Sequence, residues 1–329
     1  ALTRAGLARA RGIGAALGRA GTPGANRDAG VSSSPPPREE EEEEDVRRWR
    51  VVSTNYHRTV ATARAVCEGL LGTEADDDDD DGSGAGRRVM PSRPTNRSTA
   101  LEVEVLGAAS SAAKLNGFDA RPAEALAATA RVRATLLEPR ELRSELVAAI
   151  PGATEHNFGW LLAVDYAECR AAHGLPSYAD ELRDAAKRHL RQRYDRFFGD
   201  AELRSLVALP VVAYLRDSLA DLSAAASESR EPGGHASSVL LNVAHDVTIV
   251  ALLHALGAPV TSSDAWAPDF GCVLSVDVDP DVRTVGLTVD GVPVTPAAMA
   301  TSGRIDLDAF LAFLDDVLAR SPPAPASSS

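Results

Sequence analysis

The chain of 329 residues is long enough for one large domain or two ordinary ones, so it can bury a core without disulfide or metal staples. Apolar residues make up 44% and charged residues 25%, the balance of a soluble globular protein, and no apolar run reaches the roughly 18–20 residues of a membrane helix. The formal charge of −13 resides in two tracts, Glu39 to Glu44 with Asp45 and then Asp76 to Asp81, which leaves the rest close to neutral and argues against a nucleic-acid-binding body.

Residues 1–20, with Leu2, Gly6, Ile13 and Leu17 among Arg and Ala, form a predicted helix ending near Gly21. Residues 21–48, rich in Ser, Pro and Glu, bury too little to offset their ordering entropy and are expected to be a disordered acidic insertion. Residues 49–73 read as a core strand, Arg50-Val51-Val52-Ser53, followed by a helix with Val60, Ala63, Cys67 and Leu70 on one face and Gly72 as its cap. The aspartate run and its glycines, residues 74–99, are expected to be a second disordered insertion.

Residues 100–230 are expected to be a mostly helical insert region. One stripe there joins Leu162, Tyr166, Cys169 and His173, and another joins Leu182, Ala186, His189, Arg193 and Phe197. Residues 231–320 return to α/β order. Val239–Ala244 is a buried-type strand and Val247–Leu256 an apolar helix closed by Gly257, then come strands at Cys272–Val278 and Thr284–Val289 and a helix over Leu307–Leu318. Residues 321–329 are an expected disordered tail. Cys67, Cys169 and Cys272 are odd in number and form no CxxC pair, which argues against a disulfide framework or a zinc site. The Asn96 sequon is a chance-level match.

The most informative stretch is Asn242-Val243-Ala244-His245-Asp246-Val247-Thr248. It puts a His-Asp pair where a buried strand gives way to a helix, the position at which open α/β sheets bind ligands. A helix N-terminus suits a phosphate, and a carboxyl beside it can deliver a proton to a leaving oxygen. The plainer reading makes Asp246 a helix cap and His245 a satisfied turn residue. A second strand-to-helix turn, Trp49 to Thr59, carries basic residues, its plainer reading being a Ser/Thr/Asn cap.

Taken in order, these segments resemble the histidine acid phosphatases, branch two of the histidine phosphatase superfamily, and within them the lysophosphatidic acid phosphatase-like members. The resemblance rests on Leu2-Thr3 with Gly6 and Gly14, on Val52-Ser53-Thr54-Asn55 with Arg58 and Glu68-Gly69-Leu70-Leu71, on Tyr166 and Cys169 with Ala172-His173-Gly174 and Pro176, on Leu203 to Leu219, and on Ala244-His245-Asp246 with Thr248, Leu252 and Leu256-Gly257. It implies an α/β fold of the phosphoglycerate mutase-like kind, a three-layer core with flanking helices and a helical insert. It also implies phosphomonoester hydrolysis through a phosphohistidine.

His245 and Asp246 are then the catalytic pair, a phosphate contact and a proton donor, with Arg50 and Arg58 as candidate phosphate ligands. No cofactor or metal is implied. The partner is a small phosphorylated substrate, lysophosphatidate by resemblance, with no nucleic acid and no transmembrane segment. Oligomeric state and compartment are not readable.

Two departures matter. The family's Arg-His-Gly-x-Arg-x-Pro nucleophile motif is absent, since Arg188-His189 is followed by Leu190 within a helical pattern. Val52 stands where the family has a phosphate-binding arginine. The expectation is a chain that enters the family pattern downstream of its nucleophile segment and has little turnover. The alternative is a non-catalytic protein of the same fold that binds a phosphorylated ligand or a protein partner.

Overall fold

The computed structural model describes residues 4–20, 48–54, 56–71, 100–105, 115–228, 238–258, 268, 270–279, 281–299 and 303–320. Of the expected acidic insertion at 21–48 only Arg48 is described, as the first residue of a strand, while the second insertion at 74–99, the tail at 321–329 and Gly72 lie outside these residues, as do Asn96 and Ala1 to Thr3.

In chain order the elements are α1 (Arg4–Ala20), β1 (Arg48–Ser53), α2 (His57–Leu71), β2 (Ala100–Val105), α3 (Pro122–Ala134), α4 (Arg140–Ala149), α5 (Trp160–Ala172), α6 (Asp180–Gly199) and α7 (Ala201–Glu228). They continue with β3 (Ser238–Val243), α8 (Asp246–Leu256), β4 (Leu274–Asp279), β5 (Thr284–Val289), β6 (Val292–Pro293), β7 (Ile305–Asp306) and α9 (Leu307–Ala319).

A parallel sheet of order β2-β1-β3 forms the core, with Val51 opposite Val103 and Leu241, and Ser53 opposite Val105 and Val243. Its central strand is buried throughout from Val51 to Thr54, as a parallel strand covered on both faces must be. Against its end packs the segment 115–120, through Leu115 on Val52. A second, antiparallel sheet joins β4, β5, β6 and β7. The architecture is therefore α/β with a helical region, as the sequence predicts.

The sequence reading missed the two-residue strands β6 and β7 and one full-length strand, β2, placed by it at the start of the helical region. Its period-two pattern, Leu101-Glu102-Val103-Glu104-Val105, is a strand signal, and β1 takes it as a parallel neighbour.

Helices α3 to α7 build the helical layer around Leu146, Trp160, Val164, Leu190, Tyr194 and Phe198. The predicted α5 stripe does not face this core: Leu162 is 65% exposed, and Cys169 and His173 are exposed as well. Trp160, Ala163, Val164 and Ala167 are buried instead, because alanines let the neighbouring helix come close where longer side chains would hold it off. On α6 the buried line runs through Ala186, Leu190, Tyr194 and Phe198 with Arg193, one position round from much of the predicted stripe. Leu182 and Phe197 pack at its margin.

Helix α8 links the two hydrophobic cores. Val250 and Ala251 join the helical layer, while Leu252, Leu253 and Leu256 pack under β5 and α9. It ends at Gly257, whose φ of 59° is the left-handed cap conformation that glycine adopts without strain.

Candidate functional site

β1 and β3 run parallel and end side by side, so the residues that follow them meet. After β1 come Thr54, Tyr56 and Arg58, and after β3 come His245 and Asp246. The start of α8 is tied down by Thr248, whose hydroxyl donates to the Leu115 carbonyl at 2.7 Å.

His245 occupies the N-cap position of α8 and its side chain makes no cap hydrogen bond. Asp246 is the first helical residue rather than the cap, and its Oδ2 accepts the Tyr194 hydroxyl at 3.0 Å. A carboxylate there also lies favourably at the positive end of the helix dipole.

The hydrogen-bond partners fix the tautomer of His245. Arg58 Nη2 lies 3.2 Å from Nδ1. A guanidinium only donates, so Nδ1 accepts and the neutral ring carries its hydrogen on Nε2. Nε2 lies 3.4 Å from Thr54 Oγ1. Thr59 spends its hydroxyl hydrogen on the Thr54 and Tyr56 carbonyls, both at 2.9 Å, so the 2.7 Å contact between the two threonines is donated by Thr54. That leaves a lone pair on Thr54 Oγ1 for the imidazole N–H.

Burial first, and then the Arg58 cation, push the His245 pKa down from its ordinary value, both opposing a positive ring. Tyr56 meets the imidazole edge to face with ring centroids 4.8 Å apart and is 42% exposed, while its hydroxyl donates to Asp119 at 3.4 Å.

Of the residues proposed from sequence, the structure thus brings His245, Asp246 and Arg58 to one place. Arg50 is exposed, opposite Glu102 and Leu240, three residues short of the strand end and so about 10 Å upstream along β1. Val52 is 1% exposed and packs against Leu115, Tyr214 and Leu240, with Ala244 beside them, which places no donor at its position.

Sequence reasoning missed Tyr194 and Asp165. Burial, and next the charge of Asp246, push the Asp165 pKa up from 3.8 to about 6. Neither residue has a local sequence signature, because each reaches the site from a distant helix. Among the described residues no three His, Cys, Asp or Glu side chains gather as a metal site, no helix is long and apolar enough to cross a membrane, and none of the three cysteines is in a disulfide.

No family model matches the sequence, and no curated protein matches it. The fold is shared with solved phytase structures at low sequence identity. The phytase of Klebsiella sp ASR1 superposes with a TM-score of 0.54 at 16% identity, covering 98% of this chain and 88% of that one. Hafnia alvei phytase gives 0.51 at 12% identity, covering 86% and 81%. Citrobacter braakii phytase gives 0.50 at 13% identity, covering 96% and 88%.

Proposed function

We propose that this chain carries the proton-donor half of a histidine acid phosphatase-type phosphomonoester hydrolase and, lacking the family's Arg-His-Gly motif, turns over little on its own. The observation that carries the reading is the arrangement of Arg58 on His245 with Asp246 at the N-terminus of α8, all at the carboxyl ends of two parallel strands. In an α/β sheet that is the ligand-binding end, and the phytase fold neighbours support a phosphorylated substrate.

Arg58 and the helix N-terminus receive the phosphoryl oxygens. His245 gives up only a long hydrogen bond to Thr54 if its Nε2–H turns to an anion. Asp246 lies beside the pair to pass its carboxyl proton to the leaving oxygen as the P–O ester bond breaks, while a nucleophile supplies the electron pair for the new bond to phosphorus. That nucleophile is the missing part. In the described residues β3 is an edge strand whose Leu240, Leu241 and Val243 are only half-buried, while the central β1 has Val51 and Val52 fully covered, which supports a further strand beside β3 in a complete enzyme.

The substrate class follows from charge. Among the described residues Arg58, Asp246 and Asp119 act electrostatically on His245, and Arg58 and Asp246 on Asp165, a balance that suits a single phosphomonoester such as lysophosphatidate better than a polyphosphate. Val52 favours a second reading, a binder of phosphorylated ligands without chemistry, since a buried valine offers the phosphate nothing.

A thermal-shift titration with inorganic phosphate tests the anion site common to both readings. Phosphate is expected to raise the melting temperature of the chain and to have little effect on Arg58→Ala. Equal shifts in both would remove the proposed site.

A further inference from the structure

Helices α7, α8 and α9 meet around a cavity at the far end of α8, about 16 Å along the helix from Asp246. Its volume is about 330 Å³, at the lower end of the roughly 300–1,000 Å³ of small-molecule sites. Leu209, Leu256, Phe313 and Val317 give it an apolar wall, and the exposed Ala297 and Ala298 border it.

The polar side chains of the lining are unequally satisfied. Arg320 has Asp316 at 3.5 Å. His254 has Asp195 at 3.1 Å, and Asp195 is bonded in turn by Arg191 at 3.0 Å. Arg204, on the first turn of α7, differs from both. It is half-buried, and its one side-chain hydrogen bond among the described residues runs from Nη1 to the Phe198 carbonyl at 3.3 Å. No carboxylate of the described residues pairs with it. A guanidinium has five N–H donors in a planar fork, so a cation partly withdrawn from water is left facing an apolar cavity with most of its hydrogen-bonding capacity unused.

We propose that this cavity binds a small carboxylate with an apolar tail, the carboxylate paired with the Arg204 guanidinium and the tail laid along Leu209, Phe313 and Val317. One unpaired cation balances a monoanion, which favours a carboxylate over a dianionic phosphate, and the fork of arginine matches the two carboxylate oxygens. The Ser205 hydroxyl, on the same lining, is a further donor. The tail supplies affinity by leaving water for the apolar wall. This site shares no residue with the one at the His-Asp turn, and the inference stands whether or not that one binds an anion.

Octanoate is the probe, with octanol to represent the tail alone and acetate the charge alone. Each is titrated into the full chain and followed by the amide NMR signals of Gly257, Ala297 and Ala298. Octanoate is expected to move these signals and to bind at least about tenfold more tightly than octanol or acetate. Arg204→Gln is expected to bring octanoate down to the level of octanol and to leave octanol unchanged. Ala298→Trp, a change at an exposed position, is expected to fill the cavity and weaken both, and it carries the test if Arg204→Gln does not fold. Arg58→Ala is expected to change neither. Octanoate binding that is unimpaired in folded Arg204→Gln or in Ala298→Trp, or octanol binding as tight as that of octanoate, overturns the proposal. So does an absence of octanoate-dependent shifts at these amides in the wild type, or an octanoate affinity that falls in Arg58→Ala, which would put the carboxylate at the His-Asp turn instead.

Discussion

His245 and Asp165 respond to acid in opposite directions, and each direction has a local cause. The folded imidazole binds a proton less readily than the ordinary 6.5 of an exposed histidine, so as pH falls through about 6.5 the unfolded chain takes up its proton first and stability is lost. The folded Asp165 carboxyl binds a proton more readily than an ordinary aspartate, so stability is regained as pH falls from about 6 toward 3.8. Asp165→Asn, which keeps the carboxyl neutral in effect, is therefore expected to raise the melting temperature at pH near 7.5 and to leave it nearly unchanged at about pH 4. A lower melting temperature at the higher pH would contradict that account of Asp165. Arg58→Ala is expected to move the His245 titration upward in an NMR pH series while leaving it below 6.5, since burial is the larger cause and persists. An unmoved titration would mean that Arg58 does not face Nδ1.

Among the elements, α1 packs closely on α2, and two glycines permit it. A methyl group on Gly14 would sit 2.0 Å from the Val66 carbonyl oxygen, and one on Gly69 equally close to that of Arg11. Both obstacles are helix backbone, which cannot rotate away. Gly69→Ala is expected to cost at least about 3 kcal/mol, the upper end of ordinary overpacking, read as a lowered urea midpoint together with early proteolysis of α1. A melt within about 0.5 kcal/mol of wild type would show that the helices are not so close.

At this scale the strands and helices around the His-Asp turn are legible because their periodicity is strong and Gly257 marks a stop. The helical layer is less legible. Leu162 and Cys169 make an apolar stripe, yet the partner helix is met by Ala163 and Ala167. Hydrophobicity alone does not report how closely two helices can approach. β2 is lost for another reason: a short edge strand between a low-complexity tract and helices has no second strand in sequence to announce it.

For the molecule as a whole, the site exists because α8 is anchored in both hydrophobic cores while its first turn abuts the carboxyl ends of β1 and β3. Sequence shows His245, Asp246 and Arg58, each beside a strand-to-helix turn. It does not show Tyr194 and Asp165, which arrive from helices whose packing depends on the assembled helical layer. On the proposed function, Asp246 serves as proton donor and Arg58 as anion-binding cation, while the nucleophile is what the chain lacks.

The most direct measurement is hydrolysis of para-nitrophenyl phosphate between about pH 4 and 7 by the chain alone and by the chain fused to an N-terminal strand carrying Arg-His-Gly-x-Arg-x-Pro. Asp246→Ala is introduced into each. Negligible turnover is expected from the chain alone, and turnover that Asp246→Ala removes is expected from the fusion. Turnover by the chain alone that survives Asp246→Ala, or a cooperatively folded, phosphate-binding fusion without activity, would contradict the proposed function.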